Sequence, residues 1–127
     1  MPRQIIHSDH APKAIGPYSQ AVRVGNTIYL SGQTPLDPAS GELVVGDIAA
    51  QTRQVFDNLQ AVCGAAGITF AQIARVGIYL TDLSNFAAVN GVMKEYFSEP
   101  FPARSTIGVA ALPRNSQVEI DAVAAID

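Results

Sequence analysis

Residues 102–124 read PARSTIGVAALPRNSQVEIDAVA, and the rest of the chain reads as organised around them. Ser105, Ile107, Val109 and Ala111 alternate with Arg104, Thr106, Gly108 and Ala110. After a turn region at Pro113 to Ser116 the alternation resumes, with Val118, Ile120, Ala122 and Ala124 set against Glu119, Asp121 and Val123. A period of two marks strands, and two such runs around a turn predict an antiparallel hairpin. One face of that hairpin reads as core. The other carries Arg104, Thr106, Glu119 and Asp121 among Gly, Ala and Val, too apolar for a wet face and too charged for a core, which suits a protein interface or a ligand pocket.

Outward from this stretch the elements follow in order. Arg3 to His7 predicts a short strand, followed by a loop through Ala11, Pro12, Gly16 and Pro17 that ends in Tyr18. Ser19–Val24 and Thr27–Ser31 predict a hairpin over Gly25-Asn26, a two-residue connection of the primed kind. Residues 33–46, with Pro35, Pro38, Gly41 and Gly46, read as a turn-rich surface loop. Asp47 is a good N-cap, and Ile48, Val55, Phe56, Leu59, Val62, Cys63 and Ala66 share one helical face up to a stop at Gly67. Ile73 to Leu80 predicts a strand, and Asp82 or Ser84 caps a second helix whose core stripe is Phe86, Val89, Met93, Tyr96 and Phe97, with Asn90 at its boundary. Pro100 and Pro102 end the helical region.

The order βββαβαββ predicts one α+β domain over residues 1–127, with both helices on one face of a single mixed sheet. The other face, expected to hold Tyr29, Ser31, Tyr79, Arg104, Thr106 and Glu119, then lacks cover. A closed ring of sister subunits covers it most economically, and clefts between subunits inherit its polar residues. Composition agrees: charged residues are 15% and hydrophobic residues 48%, against about 25% charged in an ordinary soluble domain, so an oligomer is expected.

A net charge of −3 gives no basic field for nucleic acid. The lone Cys63 makes no internal disulfide, no run of 18 apolar residues predicts a membrane span, and the start MPRQIIHSDHAP reads as neither signal nor transit peptide. A soluble, cytoplasmic protein is expected. No Gly-rich phosphate loop is present, and no histidine stands by as base for a hydrolase triad. His7 and His10 lack a third ligand, so no metal is expected.

In several separated blocks the chain resembles the YjgF/RidA-type proteins, small reactive-intermediate deaminases. The blocks are PARS at 102–105 with Ile107, Ala110-x-Leu112 and Val118-Glu119-Ile120; AIGPYSQA at 14–21; YLSGQTP at 29–35; and FAAVN at 86–90. The resemblance implies a chorismate-mutase-like fold and a homotrimer with its sheets in a central barrel. It also implies three clefts between subunits and hydrolysis of 2-imino or 2-enamino acids, such as 2-iminobutanoate and 2-iminopropanoate, to 2-oxo acids and ammonia without metal or cofactor. It places Tyr18 of a neighbouring chain as a wall of the site, Ser31 and the Gly32 backbone as hydrogen-bonding neighbours, Asn90 beside the substrate, and the backbone at Ser105 and Thr106 near the water. Thr106 stands where many members have cysteine.

The residues supply the chemistry independently. A 2-imino acid carries a carboxylate beside an electrophilic carbon, so its site needs a planar cationic fork, a held water and a proton relay. Arg104 fits the fork, and Glu119 fits the relay once its pKa is raised toward neutrality. In a hairpin, Glu119 pairs near Gly108, about 13 Å along the strand from Arg104. Each residue also has a structural reading: Arg104 as cross-strand partner of Asp121 or Glu119, Glu119 as a structural hydrogen-bonding group, Asn90 as a helix brace, Tyr18 as interface packing, Ser31 as a strand end. Other functions left open are a non-catalytic small-carboxylate binder, a chaperone-like trimer and an endoribonuclease.

Overall fold

A computed structural model describes residues 2–127. Its elements are β1 (Gln4–Ile6), β2 (Ala21–Val24), β3 (Thr27–Gln33), α1 (Ile48–Ala65), β4 (Ile73–Leu80), α2 (Phe86–Tyr96), β5 (Ala103–Gly108) and β6 (Val118–Ala125), the order the alternation predicts. The Asp47 side chain accepts from the Ala50 amide to start α1. Gly25 takes φ +60° at the tip of the β2–β3 hairpin, where a side chain would be strained. Asp82 caps a short 3-10 turn, Leu83–Asn85, and α2 begins only after it.

One six-stranded sheet runs β1-β2-β3-β6-β4-β5. This corrects the expected β5–β6 hairpin. β5 instead pairs parallel with β4 at the sheet edge, while β6 lies antiparallel between β3 and β4. The β4–α2–β5 unit is a crossover, and parallel neighbours need one. The residues after β5 carry the chain past β4, with Arg114 and Asn115 at φ +57° and +58°, a path no tight hairpin follows.

The pairing decides which way each side chain faces. Arg104, Thr106 and Gly108 stand opposite Val76, Ile78 and Leu80, the buried row of β4. They therefore lie on the helix side. Glu119 and Asp121 stand opposite Tyr79 and Gly77, on the open side. The single polar face expected for Arg104, Thr106, Glu119 and Asp121 is thus split between the two sides. Ile107, expected in the core, is 49% exposed on the open side.

Both helices cover one face. Val55, Phe56, Leu59 and Val62 of α1, with Val89, Val92 and Met93 of α2, bury Ile28, Leu30, Val76, Ile78, Leu80, Val118, Ile120 and Ala124. At one end of this layer Phe56, Phe70, Tyr96 and Phe97 interlock with ring centroids 4.7–6.2 Å apart. Phe86 departs from the expected core stripe: it is 39% exposed. The open face presents Tyr29, 50% exposed, together with Tyr79, Glu119 and Asp121. Asp121 accepts from the Tyr79 hydroxyl at 3.0 Å and lies 3.9 Å from Arg75. Gly77 leaves the space these groups fill, since a methyl there would collide with the Asp121 carboxylate and the Tyr79 hydroxyl. No described helix is long and apolar enough to cross a membrane.

Candidate functional site

Five of the expected site residues, Tyr18, Gly32, Asn90, Arg104 and Glu119, fall into two clefts, while Ser31, Ser105 and Thr106 line neither. The first lies on the helix side at the β5 edge, has a volume of about 480 Å³ and is lined by Asn90, Met93, Lys94, Phe101, Pro102 and Arg104. Arg104 Nη1 donates to Asn90 Oδ1 and lies 3.6 Å from Met93 Sδ. The guanidinium carbon sits 5.2 Å from the centre of the Phe86 ring. No carboxylate among the described residues lies within 4.0 Å of Arg104. The pairing with Asp121 or Glu119 is excluded by the sheet itself, because both face the other side. Thr106, two residues along the same face of β5, has a buried Oγ1 with no hydrogen-bond partner among the described residues. Ser105 points to the open side with Gly77, its partner in β4.

The second cleft has a volume of about 450 Å³ and holds Tyr18, Gln20, Gly32, Arg114 and Glu119. It owes its shape to a bulge. Between Leu30 and Gln33 the β3 ladder takes one residue more than β6, so Ser31-Gly32 stands against Asp121 alone. Ser31 is pinned there, its amide donating to Gln20 O at 2.9 Å and its hydroxyl to Ser19 O at 2.6 Å. A methyl at Gly32 would overlap the Glu119 carboxylate, so glycine is what lets the carboxylate lie against the strand. Glu119 is half-buried. Loss of solvent pushes its pKa above the usual carboxylate range, and the neighbouring Asp121 charge adds to the rise.

Gln20 was not among the candidates, yet it holds this cleft together. Its side chain is buried, accepts from the Ser8 amide at 2.7 Å, and donates to Ser8 O at 3.1 Å and Pro12 O at 2.8 Å. The loop carrying Tyr18 is thereby fixed against β2 and β3. A polar residue between two apolar-facing runs was the available signal, but an amide in that place reads equally as a wet strand end. Tyr18 itself is half-exposed at the cleft rim.

Arg104 and Asn90 thus meet in one cleft, and Tyr18, Gly32 and Glu119 in the other. Within one chain the sheet separates Arg104 from Glu119. Burial drives the Cys63 thiol up to about 12, so it is an inert core group. His7 Nε2 engages Asp9 at 3.0 Å.

A family model described as Endoribonuclease L-PSP matches residues 8–126. The chain is 57% identical to Protein DfrA of Myxococcus xanthus, over 98% of this chain and 96% of that protein. It is 48% identical to a 2-iminobutanoate/2-iminopropanoate deaminase of Dermatophagoides farinae, over 99% and 98% respectively. The crystal structure of RidA from an Antarctic Psychrobacter superposes with a TM-score of 0.93 at 49% identity, covering 97% of this chain and 99% of that one.

Proposed function

This chain belongs to the YjgF/RidA family, the one whose model is described as Endoribonuclease L-PSP, and on that premise we propose that it hydrolyses 2-imino and 2-enamino acids to 2-oxo acids and ammonia. The observation that carries this reading is Arg104: a guanidinium at the mouth of a cleft, free of any carboxylate partner among the described residues. Such a fork donates two parallel charge-assisted hydrogen bonds to the substrate carboxylate, each contributing about 1.5–3 kcal/mol.

Water then adds to the iminium carbon beside the carboxylate. Glu119 takes a proton from that water and passes it to the nitrogen. The second water proton follows as the carbinolamine collapses, so one iminium and one water leave as one 2-oxo acid and one ammonium ion. A carboxylate held above its usual range suits a relay that must both accept and return a proton near neutrality. Hydrolysis changes no oxidation state, so the step calls for no redox cofactor. Tyr18 walls the site, the Ser31 hydroxyl oxygen accepts and the Gly32 amide donates hydrogen bonds, and the Ser105–Thr106 backbone lies near the water.

The fork and the relay lie on opposite sides of one sheet, so a complete site takes Arg104 and Asn90 from one subunit and Tyr18, Gly32 and Glu119 from the next. A homotrimer with three such junctions closes the ring. The exposed β5 edge and the open sheet face, with Tyr29 and Ile107, support it. In this reading the protein works in the cytoplasm, clearing imines released by pyridoxal-phosphate-dependent dehydratases. The net charge of −3 gives no track for a polyphosphate, which disfavours an endoribonuclease. The test is ammonia and 2-oxo acid release from imines generated by threonine dehydratase or an amino-acid oxidase. Arg104→Ala is expected to lose about a hundredfold or more in kcat/KM. Binding of 2-oxobutanoate without any turnover by the parent protein would instead identify a carboxylate binder.

A further inference from the structure

Phe86, Asn90 and Met93 have one thing in common: all three touch Arg104. They sit at intervals of four and three along α2, which places them on a single helical face. The Arg104 guanidinium carbon lies over the Phe86 ring, 5.2 Å from its centre, Asn90 Oδ1 accepts from Nη1, and Met93 Sδ flanks the same nitrogen at 3.6 Å. This accounts for the exposed ring of Phe86 on a helix whose other large apolar residues, Val89, Val92 and Met93, are buried. The ring serves as a platform for the cation.

We infer that Phe86, Asn90 and Met93 form a cradle that fixes the rotation of the Arg104 guanidinium, so that Nη1 is committed to α2 and the substrate carboxylate docks side-on at Nε and Nη2. Asn90 is then a positioning residue that acts through Arg104. The inference deepens the deaminase reading and rests on it for the identity of the ligand. A guanidinium free to turn offers either of two forks, side-on through Nε and Nη2 or end-on through Nη1 and Nη2, whereas one whose Nη1 is held offers only the side-on fork. Fixing it beforehand removes an ordering cost from binding. A lysine in its place has no fork to hold.

A double-mutant cycle on 2-oxobutanoate binding and on imine hydrolysis tests this. Asn90→Ala in the parent protein is expected to weaken binding and raise KM by about tenfold with little change in kcat, because uniform binding is what it removes. In an Arg104→Ala background the same substitution is expected to change either quantity by less than about twofold. Asn90→Asp, which offers Arg104 an internal carboxylate, is expected to weaken binding by more than about tenfold. Phe86→Leu is expected to cost about threefold. Melting temperatures of all variants check folding. Side-chain nitrogen NMR of Arg104 supplies a readout that needs no ligand: the Nη1 protons should be distinct in the parent and averaged by rotation in Asn90→Ala. Additive effects of Asn90→Ala and Arg104→Ala would show direct substrate contact and overturn the inference, as would free rotation in the parent. If the parent neither binds 2-oxobutanoate nor hydrolyses imines, the deaminase reading falls, while the spectrum still decides the cradle.

Discussion

The Arg104 cleft and the Glu119 cleft are built by opposite means. Around Arg104, side chains do the positioning: one helix face supplies a ring, an amide oxygen and a sulfur to a single cation. Around Glu119 the decisive features are a missing side chain and a kink in the backbone. Gly32 clears the space, the Ser31-Gly32 bulge bends the strand, and loss of water raises the carboxylate. The cation is steadied by contacts, and the carboxylate is left short of partners. The arginine cleft is therefore set by side-chain contacts, and the glutamate cleft by the path of the backbone and the space that it leaves.

The largest effect expected comes from mixing the two kinds of damage. Arg104→Ala and Glu119→Gln homo-oligomers should each lose about a hundredfold in activity. Co-refolded in equal amounts, they should recover about a quarter of the parent activity, because in a closed ring about one junction in four pairs an intact arginine with an intact glutamate. No recovery would overturn the site shared between subunits.

Gly32→Ala comes next. The added methyl must displace the Glu119 carboxylate, so kcat should fall by about tenfold or more with KM little changed, and the fold should lose about 1–3 kcal/mol as an overpacked site does. Urea unfolding and steady-state kinetics read the two terms separately.

The smallest effect is the pH dependence of Glu119. Its folded pKa is raised, so the folded state holds its proton more tightly than the unfolded one. The group therefore favours folding below the ordinary glutamate range and opposes it as pH rises through the folded value. Glu119→Gln should melt higher than the parent at neutral pH, and the gap should close on acidification below that range. A gap that widens in acid would mean the carboxylate is stabilised by a partner in the assembled protein.

The elements were legible because periodicity records which residues are buried together: β6 alternates cleanly, β4 does so in its Val76, Ile78 and Leu80 row, α1 carries its stripe from Ile48, and Gly25-Asn26 marks its own turn. The neighbour of β5 was not legible. Alternation reports the two faces of a strand but not the strand beside it, and pairing β5 with β4 rather than β6 moves Arg104 from the open side to the helix side. The error over Phe86 has a similar origin, since a ring that supports a cation and a ring that fills a core fall at the same helical spacing. Gln20 left only an ambiguous signal, because its three hydrogen bonds join segments twelve and eight residues apart. Arg104 and Glu119 stood out on simpler grounds, as charges in strands otherwise made of small and apolar residues.

The middle of the sheet is occupied by the strand that comes last in the chain. β1 to β3 form one ribbon and β4 with β5 another, and β6 alone joins them. During synthesis the two ribbons emerge with unpaired edges and wait for residues 118–125 to zip them together, so assembly is dominated by contacts between distant parts of the chain. Loss of even a few residues from that final strand leaves two exposed half-sheets, each a template for aggregation, rather than a slightly shortened protein.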